Sequence, residues 1–161
     1  RPTNSGCKTT LNRRYPNVAD RAGHRCEYCR APEVAFNFPF EVEHVTPASH
    51  GGTDDDDNLA LGCRSCNAFK SNTTTGVDPL TGELTRLLHP RDHPWSEHFT
   101  VRDAALIDGL TAIGRATVAK LQLNSPRQGG CETAVGPPWA VPVIPNHSAG
   151  EAWCRHDRRS V

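Results

Sequence analysis

Methionine is absent from this 161-residue chain, even at its first position. The expectation is therefore a fragment, a processed product or a partial reading frame. Net charge is absent too, with 18 Lys and Arg balanced by 18 Asp and Glu. Aromatics make up only 6% of the residues, while glycine and proline number 13 each. Such a chain builds a small core and many loops, and small cores need staples. The sequence lacks the run of about 18 apolar residues that a spanning helix requires. No charged-then-apolar segment opens it. One domain with tails is expected, in the cytoplasm and with no membrane partner.

The zero balance conceals a division along the chain. Residues 1–30 hold seven Lys and Arg against Asp20 and Glu27. Residues 31–60 hold seven acids and no Lys or Arg, and residues 61–91 return to four basic against two acidic residues. Basic flanks around an acidic centre suit a protein that grips a polyanion and holds a cation between its grips. The competing explanation is that these are ordinary solvated charge runs.

Cysteine is plentiful, with seven residues. Cys26-Glu27-Tyr28-Cys29 and Cys63-Arg64-Ser65-Cys66 are two C-x2-C knuckles. Two such pairs complete the four-thiolate tetrahedron that zinc prefers. Disulfides, a redox pair and a rubredoxin-type iron site are the alternatives; iron would colour the purified protein. The odd cysteine count and the polar, loop-rich setting favour structural zinc. Cys7, Cys131 and Cys154 have no partner spacing.

Between the knuckles, residues 36–45 alternate in FNFPFEVEHV and read as a strand or hairpin arm, with Pro39 at an edge. Residues 47–57 have the chemistry of a loop, residues 58–61 fit a short returning strand, and a helix should run from residue 63 or 64 through Lys70. C-E-Y-C, then V-E-H-V-x-P-x-S-x-G-G-x-D-D, then N-L, then C-R-x-C-N-x-x-K together resemble the HNH endonucleases with zinc knuckles. TGVDPLTGELTRLLHPRDHPWSEHF and LTAIGRATVAKLQLN resemble the C-terminal extension of many bacterial members. The likeness covers about residues 17–125.

The resemblance implies an α+β chain with a small ββα-metal (His-Me finger) nuclease core. Cys26, Cys29, Cys63 and Cys66 would staple it around zinc, and a strand/helix extension would follow. The boundaries expected are a basic arm over residues 1–16, the nuclease domain over 17–75, the extension over 76–125 and a disordered tail over 126–161. The implied activity is metal-dependent hydrolysis of DNA phosphodiester bonds. His44 would be the base that activates water, since imidazole titrates near neutral pH. Glu43 and Asn67 would ligate one divalent cation, Mg2+ or Mn2+, because oxygen donors suit hard cations. In a regular strand Glu43 and His44 point to opposite faces, so the strand must bend or end there.

Asn58 would orient His44 across the loop. Lys70 shares the helix face of Asn67 and would contact a phosphate or steady the transition state, unless it is an ordinary solvent-facing lysine. Arg64 is a weaker candidate of the same kind. Some members carry histidine at the positions of Asn67 and Ser71; their absence here favours magnesium-like binding over zinc or nickel. His50 and the aspartates at 54–57 read as solvated surface, with the aspartate loop pointing away from DNA.

His89, His93 and His98 form a second cluster, but Pro90 and Pro94 exclude a helix through them. A strand over residues 84–88 is expected instead, with Trp95 and Phe99 packing over the nuclease element. Residues 107–123 read as an amphipathic helix capped by Thr111, and residues 13–25 as a short basic helix clamping the DNA backbone. Oligomeric state, monomer or dimer, is open. The alternative function is a non-catalytic zinc module that binds nucleic acid or a protein.

Overall fold

Hydrophobic segments this short hold together only by interlocking. In the computed structural model, residues 12–102 and 106–125 are described. Most of the expected N-terminal arm, all of the expected tail and Cys7, Cys131 and Cys154 lie outside them. The order is α1 (Tyr15–Arg21), β1 (Glu41–His44), β2 (Leu59–Gly62), α2 (Arg64–Lys70), β3 (Thr75–Val77), β4 (Leu84–Arg86), α3 (Trp95–His98), β5 (Phe99–Val101), β6 (Ile107–Gly109) and α4 (Ala112–Lys120). The strands form three antiparallel pairs, β1–β2, β3–β4 and β5–β6. No described helix is long and apolar enough to cross a membrane.

The expected strand over residues 36–45 is shortened to its last part. Glu33 folds back on this segment: its carboxylate accepts the Phe40 backbone N–H (2.6 Å) and the Tyr15 hydroxyl (2.5 Å), and meets His24 Nδ1 at 2.8 Å. Residues 33–35 turn as a 3-10 helix, and Phe36 packs its ring edge on Phe40 (5.0 Å between centroids). Pro39, with no N–H to offer a ladder, helps keep pairing from starting before Glu41. Burial works against ionisation of Glu33, yet its hydrogen bonds from Tyr15 and His24 outweigh that and hold the carboxyl below its usual range.

From Glu41 the pairing is regular, with Glu43 opposite Ala60 and His44 opposite Leu59. All four residues of β2 are buried. Its chain runs directly into Cys63 and helix α2, which ends at Lys70 with Ser71 in the left-handed region (φ 54°). The basic segment forms a helix only over Tyr15–Arg21, and two of its exposed arginines reach the aspartate turn. Arg14 pairs with Asp56 at 3.0 Å, and Arg21 donates to the Asp56 and Leu59 carbonyls, each at 2.8 Å. They secure the aspartate turn, so the helix braces this loop.

Downstream, the strand expected over residues 84–88 covers Leu84–Arg86, and Thr117 Oγ1 accepts the Leu88 N–H (2.8 Å). The helix expected over residues 107–123 covers only Ala112–Lys120. Ile107 lies in a strand, because the Asn124 amide grips its backbone N–H and carbonyl, each at 2.9 Å. Thr111 Oγ1 accepts the Gly114 N–H, capping α4. Trp95 donates from Nε1 to the Tyr28 carbonyl (2.8 Å) and packs on Phe99, which joins this part to the first knuckle.

Arg115 of α4 forks onto Asp78 after β3, with Nε and Nη2 at 2.8 and 2.7 Å from the two carboxylate oxygens. Those bonds hold the Asp78 carboxyl down at about 2. A lowered folded-state pKa adds stability above the unfolded value of about 3.9 and loses it as pH falls through the folded one. Asp78→Asn should therefore melt below the native chain at pH 7. The gap should close as pH falls from 4 toward 2; a gap of constant size in calorimetric scans would show that the ionised pair is not its source.

Candidate metal centre and active site

Both C-x2-C knuckles turn inward. Cys26, Cys29, Cys63 and Cys66 are all buried and unoxidised, and their sulfurs lie within 4.8 Å of one another. The Cys29 and Cys63 sulfurs are 3.8 Å apart. Four sulfurs about 2.3 Å from a common centre would have edges of about 3.8 Å, so the cluster is positioned to bind a metal ion. Hydrogen bonds from Cys26, and then from Cys29 and Cys66, hold the Cys63 thiol well below the usual thiol range, while burial pushes the Cys26 thiol well above it. Among the described residues this is the one such group of His, Cys, Asp and Glu; His89, His93 and His98 do not form another.

The first knuckle is fastened to β2 as well as to the second knuckle. The Glu27 N–H donates to the Leu61 carbonyl, and the Glu27 carboxylate accepts the Leu61 N–H, both at 2.8 Å. Arg91 pairs with the same carboxylate. Arg30 closes the knuckle by donating its N–H to the Cys26 carbonyl (2.9 Å) from a left-handed conformation (φ 61°).

Strand β1 ends at His44. Glu43, His44 and Asn67 line one cleft of about 300 Å³ between the end of β1 and helix α2. Glu43 is only 6% exposed. Its Oε1 accepts the Tyr28 hydroxyl, and its Oε2 lies 2.9 Å from the Lys70 ammonium. Burial raises the Glu43 carboxyl above its usual range, while Lys70 and Tyr28 pull the other way. Burial, then the charge of Glu43, pushes the Tyr28 phenol far up, so Tyr28 remains a donor.

Lys70 is not the solvent-facing residue that was one of its two expectations. It is 1% exposed, and its ammonium also donates to the His44 carbonyl (2.8 Å). It joins the end of α2 to the end of β1 from inside. Asn67 donates from Nδ2 to Glu41 Oε2 at 2.5 Å. Glu41 and Glu43, two apart in the strand, lie on one face.

One of the four aspartates meets the end of β1. His44 Nε2 lies 2.6 Å from Asp54 Oδ1. With an ionised carboxylate there, the Nε2 proton is the one donated, and Nδ1 keeps its lone pair. No periodicity could have singled out Asp54 from Asp55, Asp56 and Asp57; the choice is made by Asn58. Its Oδ1 accepts the Thr46 N–H (2.8 Å), and its Nδ2 donates to the carbonyls of Thr46 (2.9 Å) and Thr53 (2.8 Å). That staple brings the residue after Thr53 back toward the end of β1. Gly52 is required beneath it, since a Cβ there would overlap the Thr46 carbonyl.

Residues 26–73 match the family model for HNH endonuclease. The segment contains both knuckles and the cleft, consistent with an HNH element of the zinc-knuckle type. No curated protein and no solved structure matches the chain.

Three substitutions test this arrangement. Lys70→Met strands a buried carboxylate and should cost about 3–5 kcal/mol in urea unfolding. Cys26→Ser should abolish the cooperative melt by circular dichroism, whereas His44→Ala should melt like the native chain. A cooperative, unshifted melt of the cysteine variant would remove the four-sulfur cluster as the staple.

Proposed function

We propose that this chain is a metal-dependent endonuclease that hydrolyses DNA phosphodiester bonds, with β1, β2 and α2 as a ββα-metal element. One observation carries the proposal: within the segment matched to HNH endonucleases, Glu43, His44 and Asn67 line one cleft, and His44 has a carboxylate on its Nε2. The four cysteines hold a structural zinc, whose binding free energy supports folding.

His44 takes the proton of the attacking water on Nδ1, and Asp54 stabilises the resulting imidazolium. The water oxygen bonds to phosphorus as the bond to the departing sugar oxygen breaks. Asn58 acts through the loop by holding Asp54 in place. Glu43 and Asn67, with Glu41 beside Asn67, would hold the divalent cation; this all-oxygen donor set fits Mg2+ or Mn2+. Bound there, the cation would supply charge neutralisation for the phosphate and the departing oxyanion. Lys70 shares the charge of Glu43 and positions it, so cation binding should be weak. Arg64 is exposed on α2 and offers a contact to the DNA backbone.

A second reading has one observation in its favour. Glu43 already has cationic and hydroxyl partners within the protein, as it would in a zinc module that binds nucleic acid without cutting it. Supercoiled plasmid with Mg2+ or Mn2+ separates the two. The native chain should nick or linearise it, His44→Ala should be slower by about 100-fold or more, and Asp54→Asn by about 10-fold. Cleavage at one rate by native and His44→Ala protein leaves only the binding module.

A further inference from the structure

Two clefts adjoin along the turn at residues 46–50. The first contains Glu43, His44 and Asn67, with Pro47 and Ala48 on one wall and Ser71 and Asn72 on the other. The second, of about 400 Å³, draws on the same two stretches: Thr46 and His50 on one side, Lys70 and Thr74 on the other. Residues 86–89, with Asp92 and His93, complete it. It thus takes in two histidines of the HPRDHPW segment, which the proposed chemistry leaves without a task.

We propose that this second cleft is a nucleotide subsite, which receives the unit of a DNA strand next to the phosphodiester at His44. The placement beside the cut rests on the nuclease reading; the binding chemistry does not. The volume lies within the range of small-molecule sites, about 300–1,000 Å³. Its polar groups are mostly donors. Arg86 is exposed at the end of β4 and offers a guanidinium fork that matches a phosphate. His93 Nδ1 accepts the backbone N–H of His89 (3.1 Å), so the proton of the neutral ring sits on Nε2, as a donor. His89 Nδ1 is buried without a hydrogen bond, its charged neighbour Asp92 being 3.4 Å away.

Charge and shape narrow the ligand. Asp92, the single acid in the lining, lies 3.4 Å from His89, and the Lys70 charge is already met by Glu43, so Arg86 is the cation left to meet a phosphate. Val45, Leu87 and Leu88 add apolar wall, and imidazoles can stack on a base. Bare phosphate would leave that wall unused. A neutral nucleoside would leave Arg86 unanswered. A nucleotide meets both.

The test uses the full chain carrying His44→Ala, to slow cleavage, with 15N-labelled histidine rings followed by NMR. Thymidylyl-thymidine should move the rings of His50, His89 and His93 in a saturable manner. Thymidine alone and inorganic phosphate alone should each bind at least about tenfold more weakly. Adding Arg86→Ala should weaken the dinucleotide about tenfold with no change in melting. In the cleaving chain, Arg86→Ala should raise KM about tenfold at constant kcat. A dinucleotide that leaves all three rings unmoved overturns the subsite, even if plasmid is cut. Phosphate binding as tightly as the dinucleotide overturns nucleotide recognition. Dinucleotide binding by a chain that cuts no plasmid supports the subsite while the nuclease reading falls.

Discussion

Four sulfurs, drawn from two knuckles on either side of a long loop, are the constraint on which everything else depends. A four-residue hairpin and a seven-residue helix are each too short to persist in water. Here β2 runs straight into the second knuckle, and the first knuckle is bonded to β2 through Glu27 at both backbone and side chain. A metal held by the sulfurs would close the intervening chain at both ends. The entropy of ordering the loop at residues 45–58 would then be met largely by metal binding, with little asked of a hydrophobic core.

Inside that frame the structure places charge where it is expensive. Glu43 is buried, and so is Lys70, and removing either partner would leave the other uncompensated. The arrangement keeps the Glu43 carboxylate ordered, with both of its oxygens partnered within the protein. Glu41, exposed and next to Asn67, provides negative charge that is not committed in this way. Tyr28 connects the two halves: its backbone and hydroxyl tie the knuckle to Trp95 and to Glu43.

The aspartate run shows how similar neighbours can have different tasks. Asp54 lies on His44, Asp55 accepts the Thr53 hydroxyl, and Asp56 holds Arg14. Four adjacent acids look unfavourable when counted as formal charge. Two of them are matched by cationic or protonatable partners within the fold, so the field around the loop is smaller than the count suggests.

The sequence by itself determined the parts that depend on local chemistry. Paired cysteines at knuckle spacing, the helix over 64–70, the returning strand and the Thr111 cap follow from residue types a few positions apart. Tertiary structure alone decided where long side chains ended. Glu33 captured Phe40 and cut the first strand short, Asn124 held Ile107 out of a helix, Lys70 turned inward to Glu43, and Asn58 brought Asp54 to His44. Each of these rests on hydrogen bonds or ion pairs between residues 5 to 27 positions apart. Such contacts have no periodicity to read, because their partners are chosen by burial and by which donors the backbone leaves unsatisfied.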